Sequence, residues 1–236
     1  MTPYQSRFAT TDVWIGLAVF IYTAVLVALP LLLETATSEW LFSEEGAFEQ
    51  LSIVWWLCAV ATVLVHARPL GRERLALALL FAVFAAREAD WHKAFTAGSL
   101  LSLKYYGRAE APFGEKLAAG LIAGAIIVVI AYAGFRILRF LFVRQGWRTR
   151  TGFWLLLASS LMVLGKLLDR APAVLTEEYG VPLSSMARLY ANVFEEGYEM
   201  LHPLLMAWAM WLGQRQGLFD RSERLLPARV PGSCSS

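Results

Sequence analysis

The run Glu195-Glu196-Gly197-Tyr198-Glu199-Met200-Leu201-His202 places three carboxylates and an imidazole at the start of an otherwise apolar segment. Charge in a hydrocarbon interior is costly, so each such group implies a partner or a purpose. On a helix turning about 100° per residue, Glu195, Glu199 and His202 fall within about 60° of one another. They make one inward stripe, and Glu196 points elsewhere. Glu199 and His202 have a Glu-x-x-His spacing, and Glu88 and His92 share a face at i, i+4. With Glu49 and Asp169 added, four segments offer oxygen and nitrogen donors: Glu49, Glu88, His92, Asp169, Glu199 and His202.

A donor set of this kind suits a divalent metal. A single zinc with an open position for water needs three such groups, and an iron or manganese pair uses more. The ligand economy is similar to that of carboxylate-bridged di-metal bundles, in which two helices give Glu and two give Glu-x-x-His. Two departures weigh against that likeness. The second pair is spaced Glu-x-x-x-His, and one donor is Asp169 on a helix flanked by Lys166 and Arg170. Around a metal, Glu195 or Asp90 would act as general base or orient a ligand. Lys166, Arg87 or Arg170 would hold a substrate anion or a developing one. The reading without chemistry is an ion-pair network that specifies helix packing.

Other chemistries lack their residues. The chain has no Gly-x-Ser-x-Gly elbow, no His-x-x-x-His or His-Glu-x-x-His, and no phosphate-cradling glycine loop. Cys58 and Cys234 lie too far apart in sequence to suggest a disulfide. In the loop after the third apolar run, Lys104, Tyr105, Tyr106 and Arg108 are candidates to grip an anionic headgroup, with a solvated loop as the plainer alternative.

The elements that must position these groups are membrane helices. Of 236 residues, 58% are hydrophobic and 17% charged, and the apolar ones come in runs. Six runs, 13–33, 47–66, 75–95, 117–143, 152–170 and 194–213, approach the ~20 residues a span needs. This predicts an all-α, polytopic membrane protein with six transmembrane helices in one bundle. A lead of residues 1–12 precedes the membrane domain 13–213, and a Pro/Gly/Ser-rich tail, 214–236, is expected to be disordered. The first run is longer than a signal-peptide core and reads as a retained span. Gly120 and Gly124 are spaced to let a neighbouring helix approach closely.

Six spans put both termini on one side. That side would carry thirteen of the 21 Lys and Arg and four of the 19 Asp and Glu. The basic residues concentrate at Arg68, Arg72 and Arg74 and at Arg136, Arg139, Arg144, Arg148 and Arg150. The positive-inside rule then predicts cytoplasmic termini, as in a bacterial inner-membrane protein. Because the basic residues follow topology and form no patch, no nucleic-acid partner is expected.

At 1.5 Å per residue, Glu49, Glu88, Asp169 and Glu199 lie about 20–26 Å from the basic ends of their helices. In a core about 30 Å thick, all four share one layer near the opposite face. Eight acids belong to that layer: Glu45, Glu49, Glu88, Asp90, Asp169, Glu195, Glu196 and Glu199. Only Arg87, Lys93, Lys166 and Arg170 oppose them. The surplus must bind protons or a cation, or be wet. The expectation is a metal-dependent membrane enzyme, hydrolytic or oxidative, acting on a lipid or other amphiphile at the outer leaflet. The alternatives are a proton- or cation-coupled transporter and a structural protein held by ion pairs.

Overall fold

A computed structural model of the chain describes residues 8–43, 46–65, 71–94, 96, 99–107 and 111–216. Glu45, His66, Arg108 and the tail from 217 onward lie outside the described residues, as does the side chain of His92. The described residues form helices and no strand: α1 (Thr10–Leu32), α2 (Thr35–Leu41), α3 (Ala47–Val65), α4 (Arg72–Glu88), α5 (Trp91–Ala94), α6 (Leu103–Gly107), α7 (Phe113–Leu138), α8 (Arg150–Glu177) and α9 (Ser185–Arg215). A π turn, Arg139–Val143, prolongs α7, and a 3-10 turn, Gly146–Arg148, leads into α8.

Four stretches are long and apolar enough to cross a membrane: Thr10–Leu32, Ala47–Val65, Phe113–Val143 and Arg150–Glu177. The third and sixth expected spans take different forms. The third stops at Glu88, because Asp90 adopts a left-handed backbone (φ 53°) that a short polar side chain tolerates and a helix does not. The sixth is longer than expected. Ser184 caps it by accepting a hydrogen bond from the Ala187 amide (3.2 Å), and α9 then runs 31 residues. The fifth also extends, through Pro172 to Glu177.

Helix α9 is the central member, packed between α3 and α8 with α1 against it; α4 packs against α3 and meets α7. Its buried residues include Leu189, Val193, Tyr198, Leu201, Leu205, Ala209 and Leu212. They occupy most of its circumference, as in a helix enclosed by others. By contrast, α1 and α7 turn Leu17, Phe20, Ile21, Leu121, Ile122 and Val128 outward. Apolar helix faces of that extent belong against lipid, and with the four crossing-length helices they mark a membrane protein. Gly120 and Gly124 do not seat a helix: the nearest neighbour of Gly120 is the Tyr106 ring, and Gly124 faces open space.

Hydrogen bonds fix which helix ends meet. At one end the Asp12 carboxylate accepts from Arg150 Nε, from Trp154 Nε1 (2.9 Å) and from the Ala9 amide (2.8 Å). At that same end Thr151 donates to Gln216 Oε1 (3.1 Å) and Gln214 Nε2 to the Thr62 carbonyl (3.5 Å). Toward the other end Tyr22 donates to the Gly197 carbonyl (2.6 Å), Tyr190 to that of Val27 (3.0 Å) and Asn192 to that of Phe42 (2.6 Å). Gly197 is packed so closely that a Cβ there would run into the Leu26 side chain. The acidic turn of α9 is thereby pinned to α1 and to the corner before α3.

Candidate functional site

The pinned turn presents its carboxylates in two directions. Toward α8, Lys166 forms ion pairs with Glu199 and with Glu195, the latter at 3.4 Å. The lysine side chain is 38% exposed, while those of Glu195 and Glu199 are 15% and 14% exposed. The cation thus reaches in from the rim toward acids that lie deeper. Toward α3 and α4, Glu196 lies within electrostatic reach of Glu49 and Glu88 as well as of Glu195 and Glu199. The sequence counts Glu196 in the acidic layer but off the stripe of Glu195, Glu199 and His202, and here it is partly buried and within reach of acids on α3 and α4.

Helix α4 adds Glu88, close in charge to Glu199, Lys166 and Glu49 and 3.5 Å from its neighbour Arg87. Four carboxylates, Glu88, Glu195, Glu196 and Glu199, therefore gather with Glu49 beside Lys166 and Arg87. One turn further along α9 is His202, 3% exposed and held edge-on to Trp56 (5.0 Å between centroids) and Phe84 (6.3 Å). Among the described residues its Nε2 has no hydrogen-bond partner, and neither does the buried hydroxyl of Ser52 on α3. Most buried polar atoms are paired, so these two stand out beneath the acidic layer.

Several expected participants sit elsewhere. Asp169 is exposed and lies 3.9 Å from Arg170, whose side chain is 83% exposed. On α8 both follow Lys166 on the same face, at i+3 and i+4, and Asp169 is within reach of the Glu195 charge, so it stands at the rim of the cluster. Asp90 is in the left-handed turn after α4, exposed and paired with Lys93 at 2.8 Å, so it is not positioned as a base for the layer. Among the described residues, no group of three or more His, Cys, Asp and Glu side chains stands ready to hold a metal ion.

Beneath His202 the interior turns apolar. Ala59, Val63, Leu205, Met206 and Ala209 are all buried there. The next hydrogen-bonding side chains on α9 are Trp208, about 9 Å along the helix axis with its Nε1 buried, and Gln214, about 18 Å along it. Outside the bundle's main core, Tyr105 and Tyr106 face inward and do not reach out as headgroup ligands: Tyr106 donates to the Leu100 carbonyl (2.7 Å) and Tyr105 to Glu115 (2.6 Å). Accepting that bond, the Glu115 carboxylate pushes the Tyr105 hydroxyl up to about 12. The Tyr105 ring is covered, yet it belongs to a small peripheral cluster with few atoms around it.

No family model, no curated protein and no solved structure matches the chain. The site's chemistry has to be argued from its own geometry.

Proposed function

We propose that the chain is a six-span integral membrane enzyme whose acidic layer acts on an amphiphile from one face of the membrane, with a divalent cation as the counter-charge. Its two further crossings would be α4, whose 17 residues rise about 26 Å, and α9, whose 31 residues rise about 46 Å. The positive-inside rule then puts both termini in the cytoplasm, as in a bacterial inner membrane, and the acidic layer near the outer face.

The observation that carries the proposal is an unbalanced charge cluster above a closed floor. Among the described residues, the cations near Glu88, Glu195, Glu196 and Glu199 are Lys166 and Arg87, and the stretch below His202 is mostly apolar, with the Trp208 indole its nearest polar group on α9. A cluster open at one end suits binding and chemistry at that end better than passage through the bundle. The proposal rests on that excess and on the unpartnered His202, since the described side chains form no ready ligand cage. Glu199, Glu88, Glu49 and His202 are the groups we assign to the cation. Glu195 is assigned as base, and Lys166 and Arg87 as anion holders. Asp90, paired with Lys93, and Arg170, 83% exposed, are set aside, and Asp169 is left as an exposed acid at the rim within reach of the Glu195 charge.

A second reading is favoured by one observation: Lys166 bridges two acids, as it would in a network that only locks α8 to α9. Metal analysis by plasma mass spectrometry on detergent-purified protein separates the two. One or two equivalents of zinc, iron or manganese, lost in Glu199→Ala/His202→Ala, support the enzyme. A folded preparation that takes up no metal after reconstitution supports the packing network.

A further inference from the structure

At the end of the bundle away from the carboxylates, α4, α7, α8 and α9 enclose a pocket. It holds roughly 680 Å³, open space at its mouth included. From Glu88 to Glu73, which lines it, α4 rises about 22 Å, so the two sites are separate. Leu77, Ile137, Leu155 and Met210 form apolar walls, while Arg136, Arg139 and Arg144 stand at the rim. Arg136 is ion-paired with Glu73. Arg139 and Arg144 are exposed and have no acidic partner among the described residues. Three guanidinium groups thus share one carboxylate, within reach of one another's charge.

The backbone is shaped to gather them. In a continued α-helix, Arg144 would stand about 140° round from Arg139. Instead the Arg144 amide bonds the Arg139 carbonyl (3.1 Å), an i→i+5 turn that folds Arg144 back over the pocket. Such π turns are uncommon and recur at functional sites.

We infer that this pocket binds the phosphate of an anionic amphiphile, the headgroup between Arg139 and Arg144 and the chains along the apolar wall. The planar forks of arginine suit phosphate oxygens, and basic pockets between membrane helices are a known place for such headgroups. Arg136, occupied by Glu73, sets the local field and orients no ligand directly. The inference does not depend on the acidic layer or on which side of the membrane the pocket faces.

The test titrates full-length protein in neutral detergent, followed by native mass spectrometry, with dioctanoyl phosphatidic acid, dioctanoyl phosphatidylcholine and inorganic phosphate. One phosphatidic acid per chain is expected, bound about thirtyfold more weakly by Arg139→Gln/Arg144→Gln. Because both arginines are exposed, the variant should keep the wild-type melting temperature. Should it not fold, Arg144→Gln alone is expected to weaken binding about fivefold. Inorganic phosphate binding as tightly as the lipid, and lost in the same variant, supports a phosphate site supplied by the free anion. Equal binding of phosphatidylcholine, or undiminished binding by the variants, overturns the inference.

Discussion

Replacing Lys166 with methionine tests how the acidic layer is held together. The substitution keeps the length and apolar stem of the side chain and removes the charge that bridges Glu195 and Glu199. Removing one partner of a fully buried ion pair costs about 3–5 kcal/mol, because the other charge is left stranded. Exposed pairs are worth about 0–1 kcal/mol. Lys166 is 38% exposed and its partners are about 15% exposed, so water screens part of the loss. We expect about 1–3 kcal/mol, a fall of about 2–12 °C in melting temperature for a chain of this size. Glu199→Gln alone should cost less, since Lys166 keeps Glu195. Combined with Lys166→Met it should return part of the loss, because one fewer carboxylate then repels Glu88 and Glu196. Thermal unfolding in detergent, followed by tryptophan fluorescence at low and high salt, measures each variant. The cycle should show a coupling of at least about 0.5 kcal/mol. A Lys166→Met protein as stable as wild type, or a double variant whose loss is the plain sum of the singles, would refute the bridging role.

Gly197→Ala should destabilise by about 1–3 kcal/mol by forcing its methyl against Leu26, whereas Leu26→Ala should cost about 2–5 kcal/mol as a cavity. The double variant should lose less than the two together in a circular-dichroism melt, and strict additivity would show that α1 does not press on α9 at this point. For Tyr105, a folded value of about 12 lies above the 10 of an ordinary tyrosine, so the fold favours the protonated hydroxyl. The stability this contributes is complete below pH 10 and is lost as pH rises from 10 through about 12. A difference titration of tyrosinate absorbance between wild type and Tyr105→Phe should place its ionisation near 12, and clearly lower in Glu115→Gln; a wild-type midpoint near 10 would count against the hydrogen bond.

The helices were legible in the sequence because each is written twice, once in its apolar length and once in its ends. Pattern alone located α1, α3, α7 and α8, and the charge at Lys166 and Glu199 marked where two of the central helices touch. Boundaries were less legible. The end of α4 depends on one left-handed residue, Asp90, and apolar content does not register it. The early start of α9 depends on the Ser184 cap in a stretch too polar to look like a span. A helical wheel assigns each residue to a core side or a lipid side, and that division fails for a helix enclosed on several sides. The signal was there in the apolar residues of α9, which do not keep to one face. The exposure of Asp169 depends on how α8 sits beside α9, which the pattern along one helix does not carry.

The chain contains its own standard for a buried charge that serves only structure. Asp12 is 3% exposed, and a guanidinium, an indole and a backbone amide all donate to its carboxylate. One acid meets one cation, and the neighbouring donors fill the remaining lone pairs, which is how a buried ion escapes most of its desolvation cost. The layer around Glu199 departs from that standard on each count. Its acids outnumber the nearby cations, Lys166 comes from the rim and is shared, and His202 is enclosed with an unpartnered nitrogen. If the need were only to lock α8 against α9, one glutamate opposite Lys166 would suffice, and Glu195 or Glu199 alone is within reach to supply it. The additional carboxylates of Glu88 and Glu196 repel Glu199, and Lys166, already shared by two acids, is the inter-helix cation that Glu88 has against it. A positive guest, whether a metal ion, a proton or a cationic headgroup, is what would turn that repulsion into binding.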